Sequence, residues 1–272
     1  MNKFLFCVDS DGCAMDTMTI KHVKCFGPRM VEEWKLDKWR DELLKRWNDI
    51  NLYTKRRGIN RFQGLLQILT EVNERNTTIE GLSELRDWVE TTAAFSEANL
   101  NVEIVNHPES QILKKALNWS QAVNRSINAL KDEEKVEFKG VKEALKKVKT
   151  CADLAIVSSA NREAMAEEWV RCGIMQYVNY SMAQDVGTKA ACLSKMIDEG
   201  YDSENILMIG DALGDYNAST KAGVHFYPIL AGKEEESWKK FHDTIIDEFV
   251  SGKYTEEREK EELDLFMNNL VD

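Results

Sequence analysis

The chain has 272 residues, of which 43% are hydrophobic and 31% are charged, a balance typical of a folded globular protein rather than a disordered or membrane protein. Lys and Arg number 36 against 47 Asp and Glu, so the formal net charge is −11 and nucleic acid is excluded as an expected partner. The apolar run Phe4–Val8 is too short for a signal peptide or a membrane span. We expect a cytoplasmic protein whose scattered cysteines are reduced and bind no zinc.

The first predicted element is a strand, Lys3–Val8, whose continuous apolar character is typical of a strand buried on both faces of a sheet. The strand is predicted to end abruptly at the polar segment Asp9-Ser10-Asp11-Gly12. Glycine adopts backbone conformations that are unfavourable for other residues. We therefore expect the chain to turn sharply out of the sheet at Gly12.

A long helical block follows, from about Pro28 to Leu130, in which apolar residues recur near helical spacing. The predicted helices are Asn60–Asn73, Thr78–Ser96 and Pro108–Leu130. Five of the seven tryptophans lie in this block. Because they recur at helical spacing, we interpret them as core residues rather than as stacking surfaces for a ligand.

After Lys131 short apolar runs alternate with helical segments, which predicts a parallel sheet covered by helices. The predicted strands are Leu154–Val157, Val178–Asn179, Ile206–Ile209 and Val224–Leu230, and the predicted helices are Gly140–Lys149, Arg162–Arg171, Lys189–Glu199 and Tyr216–Ala222. The tail from Lys233 is predicted to be helical and to pack on the edge of the sheet through Trp238, Phe241, Ile245 and Phe249.

The opening strand belongs with this second half, so the helical block is an insertion. The sequence therefore predicts an α/β fold with two domains. The parallel-sheet core comprises residues 1–16 and 135–272, and the inserted all-α domain comprises residues 17–134.

Polar side chains follow three of the predicted strands: Asp9 and Asp11, Ser158 and Ser159, and Asp211 and Asp215. Functional loops of parallel sheets lie at the carboxyl ends of the strands, so we expect these side chains at one edge of the sheet. Four carboxylates gathered there would repel one another unless a divalent cation lay among them. A ligand set made only of oxygen atoms favours Mg²⁺ over zinc or copper.

The spacing of Asp9 and Asp11 separates two chemical roles, because both side chains point to the same side of an extended segment while Ser10 points away. One aspartate can take a phosphoryl group directly and form an acyl phosphate that water cleaves. The other can protonate the leaving alcohol and then activate that water. Ser158, and Lys189 at the start of a predicted helix, can supply a hydroxyl and a cation to the phosphoryl oxygens.

These residues resemble the motifs of the haloacid dehalogenase-like phosphohydrolases, and the resemblance extends over essentially the whole chain. Val8-Asp9-Ser10-Asp11-Gly12-Cys13-Ala14-Met15-Asp16-Thr17 is similar to the first motif, Ile156-Val157-Ser158 to the second, Lys189 to the third and Ile209-Gly210-Asp211-Ala212-Leu213-Gly214-Asp215 to the fourth. Each motif is weak alone, whereas four in the right order indicate the family strongly. Cys13 and Ala14 stand where the family usually has Thr and Leu, and no Pro follows Lys189.

The resemblance implies a Rossmann-like core with a helical cap, in a Mg²⁺-dependent phosphatase that hydrolyses a small phosphorylated metabolite, a phosphate monoester, through an aspartyl-phosphate intermediate. Asp9 is implied as the nucleophile and Asp11 as the general acid and base. Phosphate binding is assigned to Ser158, Ser159 and Lys189. The implied metal site comprises Asp9, the backbone carbonyl of Asp11, Asp211 and, in the same acidic cluster, Asp215. The presence of Asp11 argues against a dehalogenase.

Several alternatives stay open at this point. A phosphomutase or a phosphonate hydrolase would use the same core, and a catalytically idle binding or regulatory protein would keep it as a scaffold. Ser158 and Ser159 could cap the helix at Arg162, and Lys189 could face solvent. Within the basic segment Lys55–Phe62, we predict that Arg56, Arg57 and Arg61 bind remote groups of the substrate, although a charged helix start explains the pattern equally well.

Overall fold

The structure is a computed structural model, which describes residues 2–183 and 185–271. The chain forms two compact units. The first combines the segment ending at Met18 with the segment beginning at Asp132, and the second is Thr19–Lys131. No helix in the described residues is both long and apolar enough to cross a membrane.

The described residues of the first unit form a five-stranded parallel sheet with the order β3-β2-β1-β4-β5. Its strands are β1 (Leu5–Val8), β2 (Asp153–Val157), β3 (Tyr180–Met182), β4 (Ile206–Gly210) and β5 (His225–Pro228). Val8 at the end of the central strand pairs in register with Ile156 of β2 and with Ile209 of β4. This parallel sheet and its helices confirm the predicted Rossmann-like α/β fold.

The helices are, in chain order, α1 (Met18–Lys21), α2 (Gly27–Glu33), α3 (Arg40–Asn48), α4 (Arg61–Arg75), α5 (Leu82–Thr91), α6 (Glu97–Asn106), α7 (Gln111–Asn128), α8 (Val141–Val148), α9 (Arg162–Arg171), α10 (Lys189–Asp198), α11 (Leu213–Ala222), α12 (Glu234–Lys240), α13 (Ile246–Val250) and α14 (Glu256–Asn269). Three π-helical turns interrupt this series at His22–Phe26, Asp49–Tyr53 and Phe241–Ile245.

Each face of the sheet has its own apolar layer, because successive residues of a strand point to opposite faces. Phe6 and Val8 of β1 pack in the layer that includes Trp169 of α9 and Trp238 of α12. Leu5 and Cys7 belong to the opposite layer, which residues of α10, α11 and α14 complete.

The tail packs on a face of the sheet, so the predicted position at its edge is wrong. The rings of Phe241 and Phe249 lie 5.7 Å and 5.4 Å from the ring of Phe6 on the central strand. Trp238, Phe241 and Ile245 are fully buried there. The face of β1 would otherwise expose apolar surface to water, which explains why the tail returns to cover it.

Several predicted element boundaries also differ from those of the structure, and two of these differences have a visible cause. The third strand is Tyr180–Met182 rather than Val178–Asn179, because the Asn179 side chain accepts from the backbone N–H of Leu154 at 3.1 Å where the strand begins. The predicted helix Thr78–Ser96 ends at Thr91. Ser96 instead begins α6 as its N-cap, and its hydroxyl accepts from the N–H of Asn99 at 3.1 Å.

The second unit is all-helical and has its own apolar core. Trp34, Trp47, Trp88 and Trp119 are buried in it. The rings of Trp47 and Trp119 pack edge-on with their centres 5.9 Å apart, and Trp88 packs edge-on against Phe62 and Phe95. Four of the five tryptophans of the insertion are therefore core residues, as the helical spacing predicted, and the fifth, Trp39, is partly buried against the same core.

Candidate active site

The chain leaves the central strand through Asp9, which is 6% exposed. The backbone N–H of Asp9 still donates to the carbonyl of Ile209 on β4, at 3.0 Å. Three residues later Gly12 has φ of +81°, a conformation that favours glycine, and its N–H donates to the carbonyl of Met15 at 2.9 Å. The predicted sharp turn at Gly12 is therefore present, and it holds Asp9 beside the end of β4.

Asp9, Asp211 and Asp215 form a buried group of carboxylates. One oxygen from each lies within 4.8 Å of the corresponding oxygens of the other two. Asp9 follows β1 and the other two follow β4, so neighbouring strands bring the group together at the carboxyl edge of the sheet. These are three of the four aspartates that the sequence placed in the metal site.

Gly210 makes room for this group. A Cβ atom at Gly210 would overlap the Cβ and carboxyl group of Asp215, so only glycine fits this position without a shift. Asp215 lies in the first turn of α11, and its Oδ2 accepts from the backbone N–H of Ala212 at 3.1 Å. The chain therefore folds tightly from β4 into α11, and Asp215 both caps the helix and joins the acidic group.

Lys189 is the cation of this group. Its Nζ lies 3.0 Å from Asp9 Oδ2 and 2.5 Å from Asp215 Oδ1, and its side chain is 16% exposed. Thr188 caps α10 by accepting from the N–H of Ala191 at 3.2 Å, which places Lys189 in the first turn of the helix. Lys189 is therefore not the solvent-facing lysine that the sequence also allowed.

Burial and charge act in opposite directions on these groups. Burial lowers the pKa of Lys189, but Asp215 and Asp9 outweigh it and hold that pKa above its ordinary value. Burial raises the pKa of Asp9, and Asp215 and Asp211 raise it further against the opposing effect of Lys189. One lysine does not balance three carboxylates. The site therefore fits a divalent cation, and its carboxylate oxygens suit Mg²⁺.

The carboxylate of Asp11 is separate from the group of three that the described residues form. Its Oδ1 accepts from the hydroxyl of Thr17 at 2.5 Å, and the residue is partly exposed. Thr17 lies within the first motif but was given no role in the sequence analysis. This hydrogen bond orients the second carboxylate independently of the first.

Ser158 and Ser159 follow β2 and differ in environment. Ser158 is 3% exposed, its N–H donates to the carbonyl of Met182 at 3.0 Å, and its hydroxyl oxygen accepts from the N–H of Ala160 at 3.1 Å. Ser159 is exposed. Neither serine caps α9, because Asn161 accepts from the first free N–H groups of that helix.

The three arginines proposed for substrate binding lie in the helical unit and have different surroundings. Arg56 is exposed, whereas Arg57 is 3% exposed and its Nη1 donates to the carbonyl of Leu52 at 2.9 Å. Arg61 Nη1 donates to Asn124 Oδ1 at 2.7 Å, and its guanidinium lies 5.0 Å from the centre of the Phe26 ring. Burial lowers the pKa of Arg61. Arg57 and Arg61 thus both have structural contacts inside this unit.

Two contacts with the loop of the site were not predicted from the sequence, which gave Trp169 no role and Trp238 only a packing role. Trp169 and Trp238 are the two tryptophans outside the helical insertion, and both donate an indole N–H to the loop that follows β1. In the sequence, the feature that sets these two tryptophans apart from the other five is their position outside the helical insertion. Their partners could not be read from the sequence, because α9 and α12 reach the loop only through the tertiary fold.

The family follows from the sequence of residues 86–229, more than half of the chain, which matches the haloacid dehalogenase-like hydrolases. The chain belongs to this family. The matched segment contains Ser158, Lys189, Asp211 and Asp215, and Asp9 precedes it. No curated protein matches the chain significantly in sequence.

Among solved structures similar to this chain, one with a TM-score above 0.5 supports the fold. A candidate phosphoglycolate phosphatase from Lactobacillus delbrueckii subsp. bulgaricus is 12% identical, with 93% of this chain and 99% of that chain covered and a TM-score of 0.55. The hydrolase YfnB of this family from Bacillus subtilis, solved with magnesium bound, is 13% identical over 84% and 87% of the two chains, with a TM-score of 0.47. A candidate beta-phosphoglucomutase from Thermotoga maritima is 15% identical over 92% and 97%, with a TM-score of 0.44.

Proposed function

We propose that this member of the hydrolase family is a Mg²⁺-dependent phosphatase that hydrolyses a small phosphate monoester through an aspartyl-phosphate intermediate. The buried contact of Lys189 with Asp9, beside Asp211 and Asp215, is the observation that carries the proposal. In this group a lysine contacts two carboxylates, and a third carboxylate lies beside them, which supports the proposal. Phosphoryl transfer needs this combination of a nucleophile and compensating positive charge.

Asp9 is the proposed nucleophile because it is the carboxylate of the group that directly follows the central strand, and its loop is hydrogen-bonded to β4. Its Oδ attacks phosphorus, the bond from phosphorus to the ester oxygen breaks, and the phosphoryl group is left on Asp9. Lys189 stabilises negative charge on the transferring oxygens, and Ser158 offers its hydroxyl as a donor. Ser159, which is exposed, is proposed for the rim of the phosphate site.

Asp11 is the proposed general acid and base. Its hydrogen bond from Thr17 fixes the carboxyl group two residues from the nucleophile. In the first step Asp11 gives a proton to the leaving alcohol, and in the second step it removes a proton from the water that attacks the aspartyl phosphate. The second step releases inorganic phosphate and restores Asp9.

Asp9, Asp211 and Asp215, with the backbone carbonyl of Asp11, are the proposed ligands of Mg²⁺. The bound ion would neutralise charge on the phosphoryl oxygens and on the carboxylates themselves. Asp215 already contacts Lys189 and caps α11, so we propose it chiefly as a residue that orients the lysine and shares the charge of the site. The helical insertion remains the proposed source of substrate selectivity.

The test is a panel of sugar phosphates, nucleotides and small phospho-acids, assayed for phosphate release with Mg²⁺ and with EDTA. Wild type should release phosphate from at least one ester only with Mg²⁺, and Asp9→Asn should abolish that release. Asp198→Asn, at an exposed aspartate of α10, should retain it. Release of phosphate by Asp9→Asn would remove Asp9 from the nucleophile role, and wild type inactive on every ester would overturn the proposal.

The same assays separate the alternatives on this core. Transfer of phosphate between two positions of a sugar, detected by chromatography of the products, would identify a mutase. Release of an aldehyde from a phosphonate would identify a phosphonate hydrolase.

A further inference from the structure

The two tryptophans of the α/β unit both donate hydrogen bonds to the loop that carries Asp9 and Asp11. Trp169 Nε1 donates to the hydroxyl oxygen of Ser10 at 2.9 Å. Trp238 Nε1 donates to the backbone carbonyl of Cys13 at 2.8 Å. Both indoles are fully buried.

These two hydrogen bonds hold the loop from two separate elements. Trp169 comes from α9, which follows β2, and Trp238 comes from α12, which follows β5. Both helices lie against the same face of the sheet, where the two indoles share one apolar layer with Phe6 and Val8. The loop is therefore hydrogen-bonded to two helices that pack in that layer.

Ser10 is the residue through which this packing reaches the aspartates. It lies between Asp9 and Asp11, is 1% exposed, and its backbone carbonyl accepts from the N–H of Met15 at 2.8 Å. Trp169 holds the side chain of Ser10, and Lys189 contacts the side chain of the preceding residue, Asp9. A shift of Ser10 would therefore move both aspartates.

We propose that Trp169 and Trp238 are positioning residues for the reaction, which hold the Asp9–Asp11 segment in register with Lys189 and Asp211 through Ser10 and Cys13. This inference rests on the proposed phosphatase function. A buried indole N–H needs an acceptor in any case, so a purely structural role would require only that the bond exist. The positioning role requires in addition that loss of the bond change catalysis more than it changes stability.

Trp169→Phe and Ser10→Ala each remove the same hydrogen bond, and Trp238→Phe removes the other. Each variant should lower kcat by about tenfold and leave KM within about threefold, because the phosphate donors stay in place while the nucleophile is misplaced. Ser10→Thr keeps a hydroxyl and should restore most of kcat. The double variant of Ser10→Ala and Trp169→Phe should be no slower than the slower single variant.

Tyr254→Phe is the matched control. The hydroxyl of Tyr254 donates to the backbone carbonyl of Phe226 at 2.8 Å in the same unit, and it is also buried. This variant loses one buried side-chain donor to a backbone acceptor, as Trp238→Phe does. Its melting temperature should fall by a similar amount, and its kcat should equal that of wild type.

Calorimetric titration with Mg²⁺ alone gives a readout that needs no substrate. Trp169→Phe and Ser10→Ala should weaken Mg²⁺ binding by about threefold or more, because Asp9 is a proposed ligand, and Tyr254→Phe should not. A wild type that binds Mg²⁺ but releases no phosphate would overturn the proposed phosphatase function. The Mg²⁺ affinities of Trp169→Phe, Ser10→Ala and Tyr254→Phe would then decide whether the tryptophans position Asp9. If Ser10→Ala and Trp169→Phe keep wild-type kcat and Mg²⁺ affinity while their melting temperatures fall with that of Tyr254→Phe, the indoles are structural only and the inference is wrong.

Discussion

Lys189 Nζ and Asp9 Oδ2 lie 3.0 Å apart, although one residue begins α10 and the other follows the first strand of the sheet. The contact is buried, and the side chain of Asp9 is 8% exposed. A charge-assisted contact of this kind is strong only where solvent is excluded. The charge state of the site therefore depends on Lys189 as much as on the carboxylates.

Replacement of this lysine should affect both catalysis and the response to metal. Lys189→Met should lower kcat by about 100-fold or more, because the transferring phosphoryl group loses a fixed positive charge. Without Mg²⁺ the variant should melt at a lower temperature than wild type, since three buried carboxylates lose their cation. Differential scanning fluorimetry with and without Mg²⁺ measures the second effect.

The exposed lysine of the same helix supplies the control for this prediction. Lys195→Met should change neither kcat nor the melting temperature appreciably. Mg²⁺ should raise the melting temperature of Lys189→Met by more than it raises that of wild type, because it replaces a missing charge. An equal rise in the two proteins would contradict this account of the site.

The sequence was sufficient to predict where the acidic group would form. Asp9 directly follows the predicted strand that ends at Val8, and Asp211 comes two positions after the predicted strand that ends at Ile209. Parallel strands bring their carboxyl ends to one edge of the sheet. Local sequence alone did not separate Lys189 from an ordinary exposed lysine. Its selection needed the order of the motifs, and the structure supplies the contact with Asp9.

The parts that could not be predicted depend on contacts between distant segments. The hydrogen bond from Trp169 to Ser10 joins residues 159 positions apart, and no local pattern encodes it. The apolar spacing of the tail predicts that one side of its helices is buried, but it does not predict which surface of the sheet they cover. Which surface it covers depends on the uncovered face of β1, where Phe241 meets Phe6.

Two glycines of the same motif should respond in opposite ways to alanine. Gly210→Ala should weaken Mg²⁺ binding and activity strongly, because the new Cβ would overlap Asp215. It should also destabilise the unit by about 1–3 kcal/mol through overpacking. Gly214→Ala meets no atom within 4 Å and should be neutral or slightly stabilising, since alanine favours a helix over glycine. Calorimetric titration with Mg²⁺ and urea denaturation of both variants test the contrast, and equal losses in the two would contradict it.

Variants of Arg56, Arg57 and Arg61 should separate structural from substrate-binding roles. Arg57→Ala should destabilise this unit by about 1–3 kcal/mol, because it removes a buried hydrogen bond to the carbonyl of Leu52. Arg56→Ala should leave stability unchanged, since Arg56 is exposed. If Arg56 binds substrate, as we propose, this variant should raise KM with little change in kcat.

Arg61 should have a structural role, because its guanidinium contacts Asn124, Ser120 and the Phe26 ring. Arg61→Lys keeps the charge but not the planar fork, so it should lower the melting temperature. Thermal melts and steady-state kinetics of all three variants are the measurement. A stable Arg57→Ala protein with a raised KM would show that Arg57 serves the substrate rather than the fold.

His225 at the start of β5 links the sheet to the last helix. Its Nδ1 lies 2.6 Å from Glu259 Oε2 of α14, and Glu259 Oε1 accepts from the N–H of Phe226 at 2.9 Å. The hydrogen bond with Glu259 raises the pKa of His225 above its ordinary value, against the opposing effect of burial. The charged form is therefore favoured in the folded state.

The stabilisation from this pair should depend on pH in a defined direction. A group whose pKa is raised on folding stabilises the folded state fully below its unfolded pKa, about 6.5 for histidine, and loses that contribution as pH rises through the folded value. His225→Gln should therefore destabilise the protein more at about pH 5.5 than at about pH 8.5. Urea denaturation at both values measures the difference, and hydrogen exchange of the Phe226 amide reports it locally. Glu259→Gln should reduce the same pH dependence, because Glu204 still lies 3.7 Å from the His225 ring, whereas His242→Gln, at a partly exposed histidine of the same unit, should keep it. A loss of stability in His225→Gln that grows with pH would show that the neutral imidazole is the stabilising form.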